Sequence, residues 1–117
     1  MIDLRNYGIL IRELVEKEDE KDPNWKWSVK YIGKTKVRIR WGYLDYLGEK
    51  KNCFSIKIQS WGEGGEWLWA CLPDGSHVEC FLVVEGAPNP KIGAEQSIKS
   101  GIEDAIFEIA HYAHTYY

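Results

Sequence analysis

Trp25-Lys26-Trp27-Ser28-Val29-Lys30-Tyr31-Ile32, Gly33-Lys34-Thr35, then Lys36-Val37-Arg38-Ile39-Arg40-Trp41 alternates bulky apolar side chains with polar or cationic ones over nearly its whole length. Successive side chains of a strand point to opposite faces, so this alternation specifies two half-buried strands that turn near Gly33. Two registers compete. A two-residue Gly-Lys turn sets Tyr31 opposite Lys36 and mixes the faces. A three-residue loop sets Trp27 opposite Trp41 and keeps the apolar set together. Because a slip of one residue would expose that whole set, the three-residue loop is expected.

The same period carries on to Val84 and predicts a five-stranded antiparallel meander over about residues 25–84. One face collects Trp25, Trp27, Val29, Tyr31, Val37, Ile39, Trp41, Phe54, Ile56, Ile58, Leu68, Ala70 and Leu72, then Val78, Cys80, Leu82 and Val84, and is the expected core face. The other face collects Lys26, Lys30, Lys36, Arg38, Arg40 and Lys57 on the first three strands. On the last two it collects Trp67, Trp69, Cys71, His77, Glu79, Phe81 and Val83. Leu72-Pro73-Asp74-Gly75-Ser76 has strong hairpin chemistry, with Pro presetting φ, Asp bonding its own backbone and Gly taking the left-handed position. Pairing Leu72 with Ser76 sets Trp69 opposite Glu79 and Leu68 opposite Cys80. Gly48-Glu49-Lys50-Lys51 and Gly62-Glu63-Gly64-Gly65-Glu66 are the expected remaining loops.

Around the sheet, Leu4, Tyr7, Ile11, Leu14 and Val15 recur at helical spacing and predict a helix over about 3–18. A second, over about 94–114, carries the stripe Ile98, Ile102, Ala105, Ile106, Ile109 and Ala113. Ser100-Gly101-Ile102-Glu103 has the form of a capping box, which would move its start to Ser100. Gly86-Ala87-Pro88-Asn89-Pro90 reads as a rigid connector and Lys21-Asp22-Pro23-Asn24 as a loop. The fold class is therefore α+β, a five-stranded antiparallel meander with a helix on either side of it in sequence, and 1–117 forms a single domain. If both helices cover the apolar face, the basic and aromatic face stays open. The aromatic stretch from His111 to Tyr117 is expected to pack on its own sheet or on a second subunit.

With 117 residues the chain has room for one core. Its net charge of −3 conceals a split, since residues 23–61 hold nine Lys/Arg against Asp45 and Glu49. Acidic residues concentrate from Glu16 to Asp22, which reads first as a solvated helix end. Three cysteines without a CxxC point to a reducing, cytoplasmic chain. Cys80 is expected in the core and Cys71 on the opposite face, so no bridge between them is expected. No secretory signal, lipidation motif or apolar run long enough to span a bilayer is present, and no membrane association is expected.

Chemical motifs are few. Glu108-x-x-His111 has the spacing of a di-iron ligand pair, but that centre needs a second such helix and more carboxylates. The plainer reading is a solvated helix face, and no metal or cofactor is expected. Gly33-Lys34-Thr35 copies the end of a phosphate loop, but Ser28 stands where the first Gly belongs and a strand follows instead of a helix. Cys71 and His77 face each other across the Pro-Asp-Gly hairpin, and no catalytic role is assigned to them without a pocket or an orienting group.

The strongest functional feature is the basic and aromatic face: cations track phosphates, and aromatic rings stack on bases. Lys26, Lys30, Lys36, Arg38, Arg40 and Lys57 are the candidate phosphate contacts, with Trp67, Trp69 and Phe81 as the stacking platform. The expectation is a non-enzymatic binding domain for an anionic partner, single-stranded nucleic acid or a nucleotide. The alternative is a protein–protein inhibitor of the anti-defence type that phages and plasmids encode, occluding a partner protein. Homo-oligomerisation is expected through the aromatic strands or the closing aromatic stretch.

Overall fold

The computed structural model describes residues 2–21, 24–60, 66–84, 91–92 and 95–117. A short 3-10 turn, Leu4–Tyr7, leads into helix α1, Gly8–Asp19. Five strands follow: β1 Trp25–Ile32, β2 Lys36–Asp45, β3 Gly48–Ser60, β4 Glu66–Cys71 and β5 His77–Val84. Two short strands, β6 Lys91–Ile92 and β7 Glu95–Ser97, precede helix α2, Ile98–Tyr116. The fold is α+β, and β1 to β5 form the antiparallel meander in sequence order. The sheet then continues through β7, parallel to β5, and ends on β6. Nothing in the alternation announced these last two strands, which are too short to show a period. The expected Gly62–Gly65 loop, the connector 86–90, residues 22–23 and the expected helix start at residue 94 lie outside the described residues.

Trp27 stands opposite Trp41, and Ile32 opposite Lys36, as the three-residue loop requires. Gly33 turns the chain at φ +65°. The lead-in is fastened here: the Leu4 N–H donates to the Lys34 carbonyl at 2.7 Å, and the Ile2 N–H donates to Glu66 Oε2 at 2.8 Å. In α1 the predicted stripe points inward, with Leu4, Ile11 and Val15 buried and Tyr7 and Leu14 packed against them. In α2 all six stripe residues are buried. Its cap is Ser97, whose Oγ accepts the Ser100 N–H at 3.2 Å, so the helix starts three residues before the expected capping box.

Both helices join one hydrophobic cluster with Val37, Ile39, Trp41, Phe54, Ile56, Ile58, Leu68 and Ala70. α2 packs on β3, β4, β5 and β7, and α1 packs on α2 and β1. The indole of Trp41, fully buried, donates to Asp19 Oδ1 at 3.3 Å and so ties the end of α1 to β2. Tyr117 sets its ring edge-on to Phe54 at 5.5 Å and the His114 ring lies against Trp25 and Trp41, so these two rings of the closing aromatic stretch pack on their own sheet, while Tyr116 stays exposed.

Two expectations are corrected. The β2–β3 turn is the pair Tyr46-Leu47, between Asp45 and Gly48, so Gly48-Glu49-Lys50-Lys51 belongs to β3. The sequence there holds no Asn-Gly or Asp-Gly signal, and Gly48 takes its positive φ of 116° after the turn. The second correction is in β5. The hairpin closes as expected, Leu72 N–H to Ser76 carbonyl at 2.8 Å, with Asp74 accepting the Ser76 N–H at 2.8 Å. Those bonds to Ser76 hold the Asp74 carboxyl below the usual range. The register then shifts between Ala70 and Cys71: Cys71 pairs with His77 but Ala70 pairs with Glu79, leaving Val78 as the extra residue of a bulge. Every side chain beyond it changes face. Phe81 lies opposite Leu68 and Val83 opposite Glu66 on the helix-covered side, while Cys80 and Leu82 stand opposite Trp69 and Trp67 on the open side. Cys80 is therefore not a core thiol, and Cys71 and Cys80 share a face as free cysteines.

Gly42 is buried opposite Lys51 in the β2–β3 ladder, and an added Cβ would run into the Lys50 carbonyl. Gly33 has open space around it and only its positive φ to satisfy. Gly42→Ala is expected to lower stability by about 3 kcal/mol, because backbone must move. Gly33→Ala is expected to lose about 1 kcal/mol through left-handed backbone alone. Denaturant unfolding measures both, and equal losses would contradict the β2–β3 pairing.

Candidate anion-binding face

The open face is built in rungs, each crossing the strands. Ser28, Arg40 and Cys53 form one rung. Lys30, Arg38, Ser55, Cys71 and His77 form the next. Then come Ile32, Lys36, Lys57, Trp69 and Cys80, and after them Gln59, Trp67 and Leu82. Lys26 and Lys51 flank Gly42 one rung before Arg40. Of the predicted site residues, Lys26, Lys30, Lys36, Arg38, Arg40, Lys57, Trp67 and Trp69 all fall on this face. Phe81 does not: the bulge turns it toward the helices, where it packs against the core.

Two rungs set like charges directly opposite each other, Lys30 with Arg38 and Lys36 with Lys57. Opposed like charges on neighbouring strands destabilise a sheet. Among the described residues, no carboxylate forms an ion pair with Lys26, Lys30, Lys36, Arg38, Arg40 or Lys57; Glu49, on the same face, is bound to Lys51 at 2.7 Å. The one compensation is aromatic: Lys57 Nζ lies 6.0 Å from the centre of the Trp69 ring.

Lys36, Arg38 and Lys57 converge on a groove of about 310 Å³ whose floor includes Cys53, Ser55 and Cys71 and whose wall is the Pro73–His77 hairpin. Ser55 lines it too, opposite Arg38 and two residues from Lys57. Sequence reading gave Ser55 no role. The cross-strand register was the signal that singles it out. The His77 ring packs tilted against Trp69, 4.3 Å between ring centres and 52° between planes. The Trp69 Nε1–H is buried with no acceptor among the described residues. Cys71 and His77 do pair across the hairpin, but Cys71 is buried and the His77 ring lies against Trp69. Burial first, and the Glu79 carboxylate second, push the Cys80 thiol above its ordinary range.

A second cavity, about 480 Å³, lies between the end of α1, the start of β1 and α2, lined by Glu18, Lys21, Trp25, Phe107, His111 and His114 among others. Its cation is already engaged, Lys21 Nζ being 2.7 Å from Glu18 Oε2, and the His114 ring packs tilted against Trp25 at 4.3 Å. Among the described residues no three His, Cys, Asp or Glu side chains are grouped to hold a metal ion. Nor, among them, is any helix long and apolar enough to cross a membrane. No family model, curated protein or solved structure matches this chain.

The opposed lysines yield a direct test. Lys57→Glu converts the Lys36 rung to an attractive pair and is expected to raise stability by about 0.5 kcal/mol at low salt, with the gain fading as salt is added. Thermal unfolding at two ionic strengths measures it. A loss of stability would show that Lys36 and Lys57 are not held in repulsion.

Proposed function

We propose that this chain is a non-enzymatic binding domain that takes an anionic partner, single-stranded nucleic acid or a nucleotide, on the uncovered face of its sheet. The observation that carries this reading is the pair of like-charged rungs without counter-carboxylates, because a bound anion relieves a repulsion that the free protein bears. A phosphate seated near Ser55 would meet Lys36, Arg38 and Lys57 together, each charge strengthening the others' hold. Trp69 shares the rung of Lys36 and Lys57 and Trp67 stands on the next, and stacking on such rings contributes roughly 1–3 kcal/mol per base with little sequence preference. A purely nucleophilic use of the groove is less well supported, since the Cys71 thiol is buried and its histidine neighbour is engaged by Trp69.

One observation favours the second reading, occlusion of a partner protein. The β2–β3 hairpin carries Leu44, Tyr46 and Leu47 at its tip, with Tyr46 94% and Leu47 80% exposed. Apolar side chains grouped this way are a common anchor for protein contacts.

Fluorescence anisotropy of a labelled mixed-sequence oligonucleotide, titrated at low and moderate salt, separates the two. Binding is expected to weaken steeply with salt, as several counterions are released. Replacing Arg38 and Arg40 together by Glu should weaken it at least tenfold, while Tyr46→Ser with Leu47→Ser should leave it unchanged. Absence of binding at low salt would remove the nucleic-acid reading. Sensitivity to the tip but not to the arginines would move the contact to the hairpin.

A further inference from the structure

Resting on the anion-binding reading, we infer that the partner is an extended single strand laid along β2, phosphates against Arg40, Arg38 and Lys36 and bases turned across β3, and not a mononucleotide confined to the groove. Three observations carry this. Arg40, Arg38 and Lys36 occupy alternate positions of one strand on one face, so they repeat at about 6.6 Å in a straight line. That pitch is close to the phosphate repeat of an unstacked, extended strand, and the row runs past the groove: Arg40 is not among the groove's lining residues. Lys30 flanks the row beside Arg38, and Lys57 flanks it beside Lys36, so the cations follow β2 along its length.

The ground beside the row suits bases. Between β2 and β4 lies β3, which offers Cys53 and Ser55 there, both small. Strands stand about 4.8 Å apart, so Trp69 on β4 lies roughly 10 Å across from Lys36, at the end of the row, with Trp67 one rung beyond, about the reach of a base from its own backbone. Charge also fixes the side of approach. The two helical segments, 2–21 and 98–117, carry five Lys/Arg against nine Asp/Glu, so the helical side of the molecule repels a polyanion. A row of three cations matches a site of about three to four nucleotides and a salt dependence of about −0.7 per phosphate contacted.

The test uses the whole chain with fluorescein-labelled oligothymidylates of two, four, six and eight nucleotides, and thymidine monophosphate as competitor, at low and moderate salt. Affinity is expected to climb steeply to the four-nucleotide probe and then to rise only in proportion to the number of overlapping sites. Arg40→Ser is expected to weaken the six-nucleotide probe about tenfold and the two-nucleotide probe less than twofold, whereas Lys36→Ser weakens both. The strand path is overturned, and the anion groove retained, if thymidine monophosphate competes as well as the six-nucleotide chain, or if Arg40→Ser changes nothing while Lys36→Ser still acts. Failure of every probe to bind at low salt overturns both readings together.

Discussion

Val37, Ile39, Phe54, Ile56 and Leu68 are removed from water beneath the two helices, and the positions between them therefore have to face the other way. Burying each such side chain is worth about 1.5–3 kcal/mol. An opposed pair of like charges costs on the order of 1 kcal/mol or less. The core therefore wins, and it holds Lys30 against Arg38 and Lys36 against Lys57 whether or not those pairs favour the fold. A charged face that a sheet maintains at its own expense is available for a ligand that neutralises it.

The outer face is consequently two surfaces joined at β3. On one side lie the cations of β1 and β2. On the other, the β4–β5 bulge brings Cys80 and Leu82 up beside Trp69 and Trp67 and sends Phe81 down among the helices. Without that extra residue, Phe81 would enlarge the aromatic side and Cys80 would be sealed in the core. Between the two sides, Ser55 and Cys53 leave a floor low enough for Lys36, Arg38 and Lys57 to line a groove together. Lys57 and His77, which line the groove, both lie against the Trp69 ring, so Trp69 supports the groove from the side.

Much of this was legible in the chain itself. The register of β1 and β2 followed from the cost of exposing Trp27, Val29, Ile39 and Trp41 at once, and the inward stripes of both helices followed from their spacing. Eight of the nine proposed binding residues stand on the open face for the same reason. What was not legible depended on single residues. The bulge at Val78 leaves no mark in the run, because Val78, Cys80, Leu82 and Val84 alternate as an unbroken apolar set, although beyond the bulge Phe81 and Val83 are apolar too and take the inward side. Tyr46-Leu47 lacks the small residues that announce a tight turn. Ser97 and Ser100 are both acceptable caps, and only the packing of Ile98 under the helix decides between them. The strands at 91–92 and 95–97 borrow their order from β5, a tertiary cause that local sequence does not carry.

The central claim is that an anion seats on the β2–β3 surface and not on the helical side. Amide chemical-shift mapping of the isotope-labelled chain, titrated with a short oligothymidylate at low salt, tests it most directly. The account predicts shifts confined to residues 36–40, 53–57 and 67–71, with α1 and α2 unmoved. Shifts clustered on the helices, or on the Leu44–Leu47 tip alone, would contradict it.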